Sequence, residues 1–279
     1  MPERAKTSTG PLSGKKIAFI GAGFMGGAII RSLISKGVAP SFITAYDPSA
    51  GIMEALGAIG VAAAKSPEAA ARGADLILLA VKPQLMAKVA PSLKKTLTKK
   101  SLVISIAAGV PTSRIEGWLG RGAKVARAMP NMAAQVGQSA TALCPGAAAG
   151  ADDMNMAKAL FGAAGTVVEV DETLMDAVTG LSGSGPAYVF MFLEGLIDAG
   201  VRCGLSREAS AGLARQTLLG AAMMASQSGE HPAILKERIT SPGGTTIAAL
   251  SSLEEDGFKG SIINAVMAAV ARSRELGAK

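Results

Sequence analysis

A short apolar run at residues 17–20 (IAFI) leads directly into Gly21, Gly23 and Gly26, and an apolar helical pattern starts within that loop. The alternation continues. Residues 41–46, 60–63, 74–81, 101–107 and 124–128 read as strands, separated by stretches whose apolar positions have helical spacing. The unbroken run at 74–81 (ADLILLAV) marks a strand covered on both faces, as in a parallel sheet between two helix layers. Strands alternating with helices over residues 15–130 predict an α/β fold, a doubly wound parallel sheet with right-handed connections. Residues 140–143 and 165–170 add two strands, with a helix at 152–162 between them. From about residue 171 the pattern is helical throughout, at 171–180, 186–203, 207–228, 232–238, 245–255 and 259–276.

The glycine loop suits a dinucleotide. Gly21 permits a tight turn, Gly23 has no side chain to block a pyrophosphate, and Gly26 lets the helix lie close to the strand. Free N–H groups at the start of the helix would face the phosphates. The competing reading is an ordinary strand-to-helix turn, and the strand, loop and helix in that order favour the Rossmann-like one. Asp47 follows at the end of the second strand, about 20 residues past Gly26, where an acidic residue bonds the ribose 2′-hydroxyl and repels a 2′-phosphate. The order Asp47-Pro48-Ser49 equally suits a turn that caps the next helix. Val81, Lys82 and Pro83 end one strand and Ala108 and Gly109 follow another, so both groups fall on the crevice side of the sheet. Pro83 is also a natural first residue for a helix.

Composition adds a partner. The 49% hydrophobic content comes with only 4% aromatic residues, so burial rests on close packing of aliphatic side chains. Helices such as that containing residues 212–225 (GLARQTLLGAAMMA) are apolar on more than one side, more than one small helical domain can bury. A homodimer that interleaves these helices is the expected remedy. The predicted organisation is a disordered polar leader at 1–14, a Rossmann-like domain at 15–170 and an all-helical domain for dimerisation and substrate binding at 171–279. No apolar run reaches the ~20 residues of a membrane span. Cys144 and Cys203 share no metal-binding spacing, so no metal is expected, and a reducing, cytoplasmic compartment suits them. The net charge of +7 lacks the aromatic platforms of nucleic-acid binding and implies instead a mild attraction for anionic substrates.

Two loops in the helical half carry candidate chemistry. Residues 181–186 (LSGSGP) and 240–246 (TSPGGTT) each put small residues and free amides before a helix, a ready site for a carboxylate. Ser241, Gly243, Gly244, Thr245 and Thr246 exceed what simple N-capping requires. His231, the sole histidine, stands before Pro232 and reads as a helix start. No nucleophile with its base is visible, which disfavours hydrolysis and leaves hydride transfer to an acceptor that needs little acid catalysis, such as a protonated imine.

Taken together, FIGAGFMGGAI at 19–29, AVKP at 80–83, SIAAGV at 105–110, RAMPN at 127–131, LSGSGPAYVFMFLE at 181–194 and SPGGTTI at 241–247 resemble the pyrroline-5-carboxylate reductases over residues 16–276. The resemblance implies reduction of 1-pyrroline-5-carboxylate to L-proline by NADPH or NADH, the last step of proline biosynthesis. It also implies that Gly21, Ala22, Gly23, Phe24 and Met25 cradle the pyrophosphate, with Val81, Lys82, Pro83, Ala108 and Gly109, known in the family as cofactor contacts, beside them; this chain's own Gly26, Asp47 and Asn131 are further cofactor-binding candidates. Ser241, Gly243, Gly244, Thr245 and Thr246 match the segment that holds the substrate carboxylate, and Thr246 is the candidate to bond the imine nitrogen. Two departures stand out: Met132-Ala133 where the family commonly has Thr-Pro, and Asp47 where it often has a small or amide residue, which argues for NADH use. The rivals are a hydroxy-acid dehydrogenase of similar layout, which would want a lysine that residues 185–201 lack, and a non-catalytic NAD(P)-binding module, which would leave the second loop idle.

Overall fold

The computed structural model describes residues 10–277. Eight strands, β1 (Ile17–Ile20), β2 (Ile43–Tyr46), β3 (Ala62–Ala63), β4 (Leu76–Leu79), β5 (Leu102–Ser105), β6 (Lys124–Met129), β7 (Ser139–Pro145) and β8 (Gly165–Glu169), form one sheet in the order β3-β2-β1-β4-β5-β6-β7-β8. The order reverses between β1 and β4, so their carboxyl ends flank the crevice where an open α/β sheet binds ligands. Helices α1 (Phe24–Ser35), α2 (Ala50–Gly57), α3 (Pro67–Ala71), α4 (Pro83–Ser92), α5 (Thr112–Leu119) and α6 (Ala151–Gly162) connect the strands.

Alternate residues of the central strands feed two cores. Ile17, Phe19, Leu76, Leu78, Leu102 and Ile104 pack with Ile29, Ile30, Leu33, Leu160 and Phe161 on one face. Ala18, Ile20, Ile77, Leu79 and Val103 pack with Met86, Ala90, Ile115 and Leu119 on the other. Each fully buried Val, Leu, Ile or Phe contributes about 1.5–3 kcal/mol, which is why the predicted apolar runs coincide with the sheet centre. Several strands are shorter than predicted by one or two residues at an end, because the flanking residues turn into loops.

One pairing departs from the all-parallel expectation. β6 and β7 are antiparallel, joined through a 3₁₀ turn at Met132–Val136. So short a connection cannot make the crossover that parallel strands require.

Two segments next to the expected boundaries pack on the sheet. Residues 1–9 of the predicted leader lie outside the described residues, but Gly10 to Gly14 form a turn, and Leu12 is buried in the first core. An apolar side chain with a core edge to cover is ordered despite its polar neighbours. The chain divides into a unit that runs to Ser184 and resumes at Ala269, and a second unit, Gly185–Ala268. Within the first unit, residues 171–184 pack on the sheet. Glu172 accepts hydrogen bonds from the Thr112 amide (2.7 Å) and hydroxyl (2.6 Å), and Met175 is buried against Ala142 and Cys144.

This segment holds α7 (Met175–Val178) and a π-helical turn, Thr179–Gly183, that runs straight into α8 (Gly185–Arg202). Pro186 lacks the N–H that would bond the Ser182 carbonyl four residues back, and its ring would press on that oxygen. The wider turn relieves the crowding, and the Asn131 side-chain amide donates to the Ser182 carbonyl instead (3.1 Å).

The second unit contains α8, α9 (Arg207–Ser228), α10 (Pro232–Arg238), α11 (Thr245–Glu255) and the start of α12 (Phe258–Gly277). Among its residues only Ser210 and Ala214 are buried. Phe190, Met191, Leu213, Met224, Ile263 and Met267 are all more than half exposed, so these helices lack a core of their own.

Candidate active site

The first unit brings one group of predicted residues to the switch point. Gly21, Gly23, Phe24, Asp47, Val81 and Lys82 line a cavity of about 720 Å³. Gly21 has φ +93°, and a Cβ there would lie 2.5 Å from the Ala80 carbonyl oxygen, so only glycine fits. A Cβ on Gly26 would meet the Gly21 carbonyl oxygen at 2.3 Å, which is the close helix-to-strand approach expected of this position. Gly23 has open space where a side chain would stand, and it begins α1 without any side-chain cap. The first amides of α1 are thus left for a ligand.

Asp47 uses both carboxylate oxygens. Oδ1 accepts from the Ser49 amide (3.0 Å), the turn that starts α2, and Oδ2 accepts from the Ala22 amide in the glycine loop (2.9 Å). The two readings of this residue are compatible, since the carboxylate that shapes the turn also lies on the cavity wall. Hydrogen bonds from Ser92, then Ser66, hold the Glu68 carboxyl below its usual range. Glu68, Tyr46, Leu85 and Lys88 also line the cavity and were missed in the sequence. Tyr46 could have been found, since it ends β2 on the crevice side; Lys88 lies a turn and a half into α4, where no motif marks it.

The other predicted cofactor residues are placed elsewhere in this unit. Met25 packs against the core, and Pro83 is the first residue of α4. Ala108 and Gly109 follow β5, and a Cβ on Gly109 (φ +72°) would meet the backbone of Gly277 at 3.2 Å. Asn131 is buried, and its Oδ1 accepts from the amides of Ala133 (3.2 Å) and Ala140 (3.4 Å) while its Nδ2 serves Ser182.

In the second unit, residues 240–246 make a fresh helix start. The Thr240 hydroxyl donates to the Lys236 carbonyl (2.8 Å) and closes α10, Gly243 turns the chain at φ +65°, and Gly244 begins α11 with no side-chain cap. Simple capping by Ser or Thr is thereby excluded as the role of this loop. A Cβ on Gly244 would strike the Ser241 hydroxyl at 2.3 Å. Thr245 is exposed and Thr246 half-buried. Residues 181–186 are different: they are wound into the π turn and α8, so their amides do not form a helix N-terminus. His231 caps α10, its Nδ1 accepting from the Ala233 amide (3.2 Å).

Known proteins match both units. A family model described as pyrroline-5-carboxylate reductase dimerisation fits residues 172–276, and one described as NADP oxidoreductase coenzyme F420-dependent fits residues 16–109. A pyrroline-5-carboxylate reductase of Methanosarcina acetivorans is 46% identical over 96% of this chain and 100% of its own. The structure of such a reductase from Coxiella burnetii superposes with a TM-score of 0.90 at 38% identity, over 94% of this chain and 98% of that one. A Plasmodium falciparum pyrroline carboxylate reductase with NADP bound gives 0.83 at 35% identity, with the same coverage. The chain belongs to the pyrroline-5-carboxylate reductase family.

Proposed function

We propose that this chain reduces the C=N bond of 1-pyrroline-5-carboxylate to L-proline with NADPH or NADH, the last step of proline biosynthesis. The observation that carries the reading is the uncapped start of α11 behind Ser241, Gly243 and Gly244, a set of free amides suited to the substrate carboxylate. The residues of the first unit fit a dinucleotide: Gly21 and Gly23 leave room for a pyrophosphate, and the amides of α1 are uncapped. When bound, the dihydronicotinamide supplies the hydride taken up by the imine carbon. The protein's share is to bind and orient. Amides of Thr245 and Thr246 hold the carboxylate, and the Thr246 hydroxyl bonds the ring nitrogen, which keeps its proton and becomes the amine. With His231 engaged in capping, positioning outweighs acid–base catalysis here.

Asp47 biases the choice of cofactor towards NADH, because its carboxylate on the cavity wall repels a 2′-phosphate. The assembly is a homodimer, or a ring of dimers, in which the exposed apolar faces of α8, α9 and α12 cover one another. Among the described residues no helix is long and apolar enough to cross a membrane. The free thiols of Cys144 and Cys203 suit a cytoplasmic location, and burial, the larger cause, pushes Cys144 up to about 11, out of the reactive range.

The test follows NADH and NADPH absorbance with pyrroline-5-carboxylate and, separately, its appearance from NAD+ or NADP+ with hydroxy acids. Oxidation on adding pyrroline-5-carboxylate is expected; turnover of hydroxy acids alone, or of neither, overturns the assignment.

A further inference from the structure

A second cavity, of about 440 Å³, lies wholly in the first unit beyond the carboxyl ends of β5 and β6. Its size is that of small-ligand pockets, about 300–1,000 Å³. Arg127, Glu172, Asp176 and Arg274 line it, two guanidinium groups and two carboxylates. The close approach of Gly109 and Gly277 walls one side.

The donors and acceptors in this cavity are unequally satisfied. The side chain of Arg127 is only 7% exposed, yet among the described residues its one polar side-chain contact is Glu172 Oε1 at 3.5 Å, too long for a strong hydrogen bond. Its register neighbours on β5 and β7 are Ser105 and Cys144, neither of which relieves it. A buried guanidinium brings five N–H donors that are costly to leave unused. Among the described residues no buried side-chain nitrogen or oxygen lacks a partner, so the free nitrogens of Arg127 must open into the cavity. Arg274 is exposed and makes no ion pair among the described residues, while Arg272 beside it is paired with Glu275. Both oxygens of Glu172 are already taken by Thr112. Asp176 is half engaged: Oδ1 accepts from the Ser273 hydroxyl (2.6 Å), and among the described residues no hydrogen bond reaches Oδ2.

We propose that this cavity binds a free α-amino acid as a zwitterion, its carboxylate between Arg127 and Arg274 and its ammonium or ring amine on Asp176. The four side chains sum to zero charge, so a ligand that carries both signs and no net charge is the complementary one; a simple anion would leave Asp176 opposed by a like charge. Neither the glycine loop nor residues 240–246 line this cavity, and the inference stands whatever reaction those perform.

Arginine Nε–Hε resonances of the assembled full-length protein test it, with Arg127→Lys used to assign the Arg127 signal. Glycine and L-proline should move the Arg127 and Arg274 signals saturably, while acetate and methylammonium at equal concentration do not. Arg274→Gln and Asp176→Asn, each checked for a normal melting curve, should weaken glycine binding by about tenfold or more, the effect of one lost charged hydrogen bond. Thr246→Val should leave it unchanged. The proposal fails if the amino acids move neither signal, if acetate alone moves them as strongly, or if both folded variants bind as well as the parent.

Discussion

Residues 181–186 and 240–246 are alike in composition and opposite in structure. Each offers serine, glycine and proline ahead of a helix, but the first is wound into a continuing helix and the second begins a new one. The difference lies in what precedes the proline. Ahead of Pro186 the chain is already helical from Met175, so the winding persists and the proline only widens it into a π turn. Ahead of Pro242 the Thr240 hydroxyl has closed α10, and Gly243 at φ +65° then breaks the helical path. A glycine in the left-handed region resets a helix; a proline within one can be absorbed if a neighbour satisfies the carbonyl it abandons. Asn131 is that neighbour for Ser182.

The largest test of this contrast is functional. If residues 240–246 are the reactive loop, Thr246→Val should lower kcat/KM for pyrroline-5-carboxylate by about 100-fold, in the range of one lost transition-state hydrogen bond, with the melting temperature preserved. Steady-state kinetics beside a melting curve checks both halves. A fall of less than threefold would remove Thr246 from the chemistry and make the loop a carboxylate holder only.

The next largest is structural and belongs to the first loop. Asn131→Ala leaves the half-buried Ser182 carbonyl and the amides of Ala133 and Ala140 without this partner, a loss of about 0.5–1.5 kcal/mol in chemical denaturation for each bond that water does not replace. An unchanged denaturation midpoint would mean that the π turn holds without this side chain.

Asp47 carries a smaller, two-part effect. Asp47→Ser should shift the ratio of specificity constants towards NADPH by about tenfold, equivalent to about 1.4 kcal/mol, by removing the repulsion of a 2′-phosphate. It should also loosen the glycine loop slightly, since Ala22 loses its acceptor. Both are read from KM and kcat for the two cofactors, and no relative gain for NADPH would sink the charge argument.

What could be read from the chain follows from how local each cause is. The central strands were legible because runs such as Leu76 to Leu79 are buried on both faces, and the glycine loop because Gly21, Gly23 and Gly26 act within one strand-turn-helix unit. The start of α11 was legible because Gly243 and Gly244 set it locally. The antiparallel β7, the attachment of residues 171–184 to the sheet and the use of Asn131 were not, because each depends on a partner far along the chain. Thr112 meets Glu172 across 60 residues, and Asn131 meets Ser182 across 51. The same reason hid the cavity around Arg127, whose lining comes from β6, the segment around α7 and the end of α12.

The smallest expected effect returns to the comparison of the two loops. In a free helix start, Ser182 would offer its hydroxyl to an amide or a ligand, and removing it would cost about 0.5–2 kcal/mol or reduce activity. In the wound segment its hydroxyl donates instead to the Val178 carbonyl (3.1 Å), a bond back along the helix to an oxygen that the chain can otherwise satisfy or that slightly strains the winding. Ser182→Ala should therefore change stability by less than about 0.5 kcal/mol in either direction. It should leave kcat and KM for both substrates as they are. Denaturation and kinetics on this one variant, set beside Thr246→Val, separate the loops: a kinetic loss at Ser182 would mean that residues 181–186 also touch the reaction, and that the continuous helix is not the state that turns over.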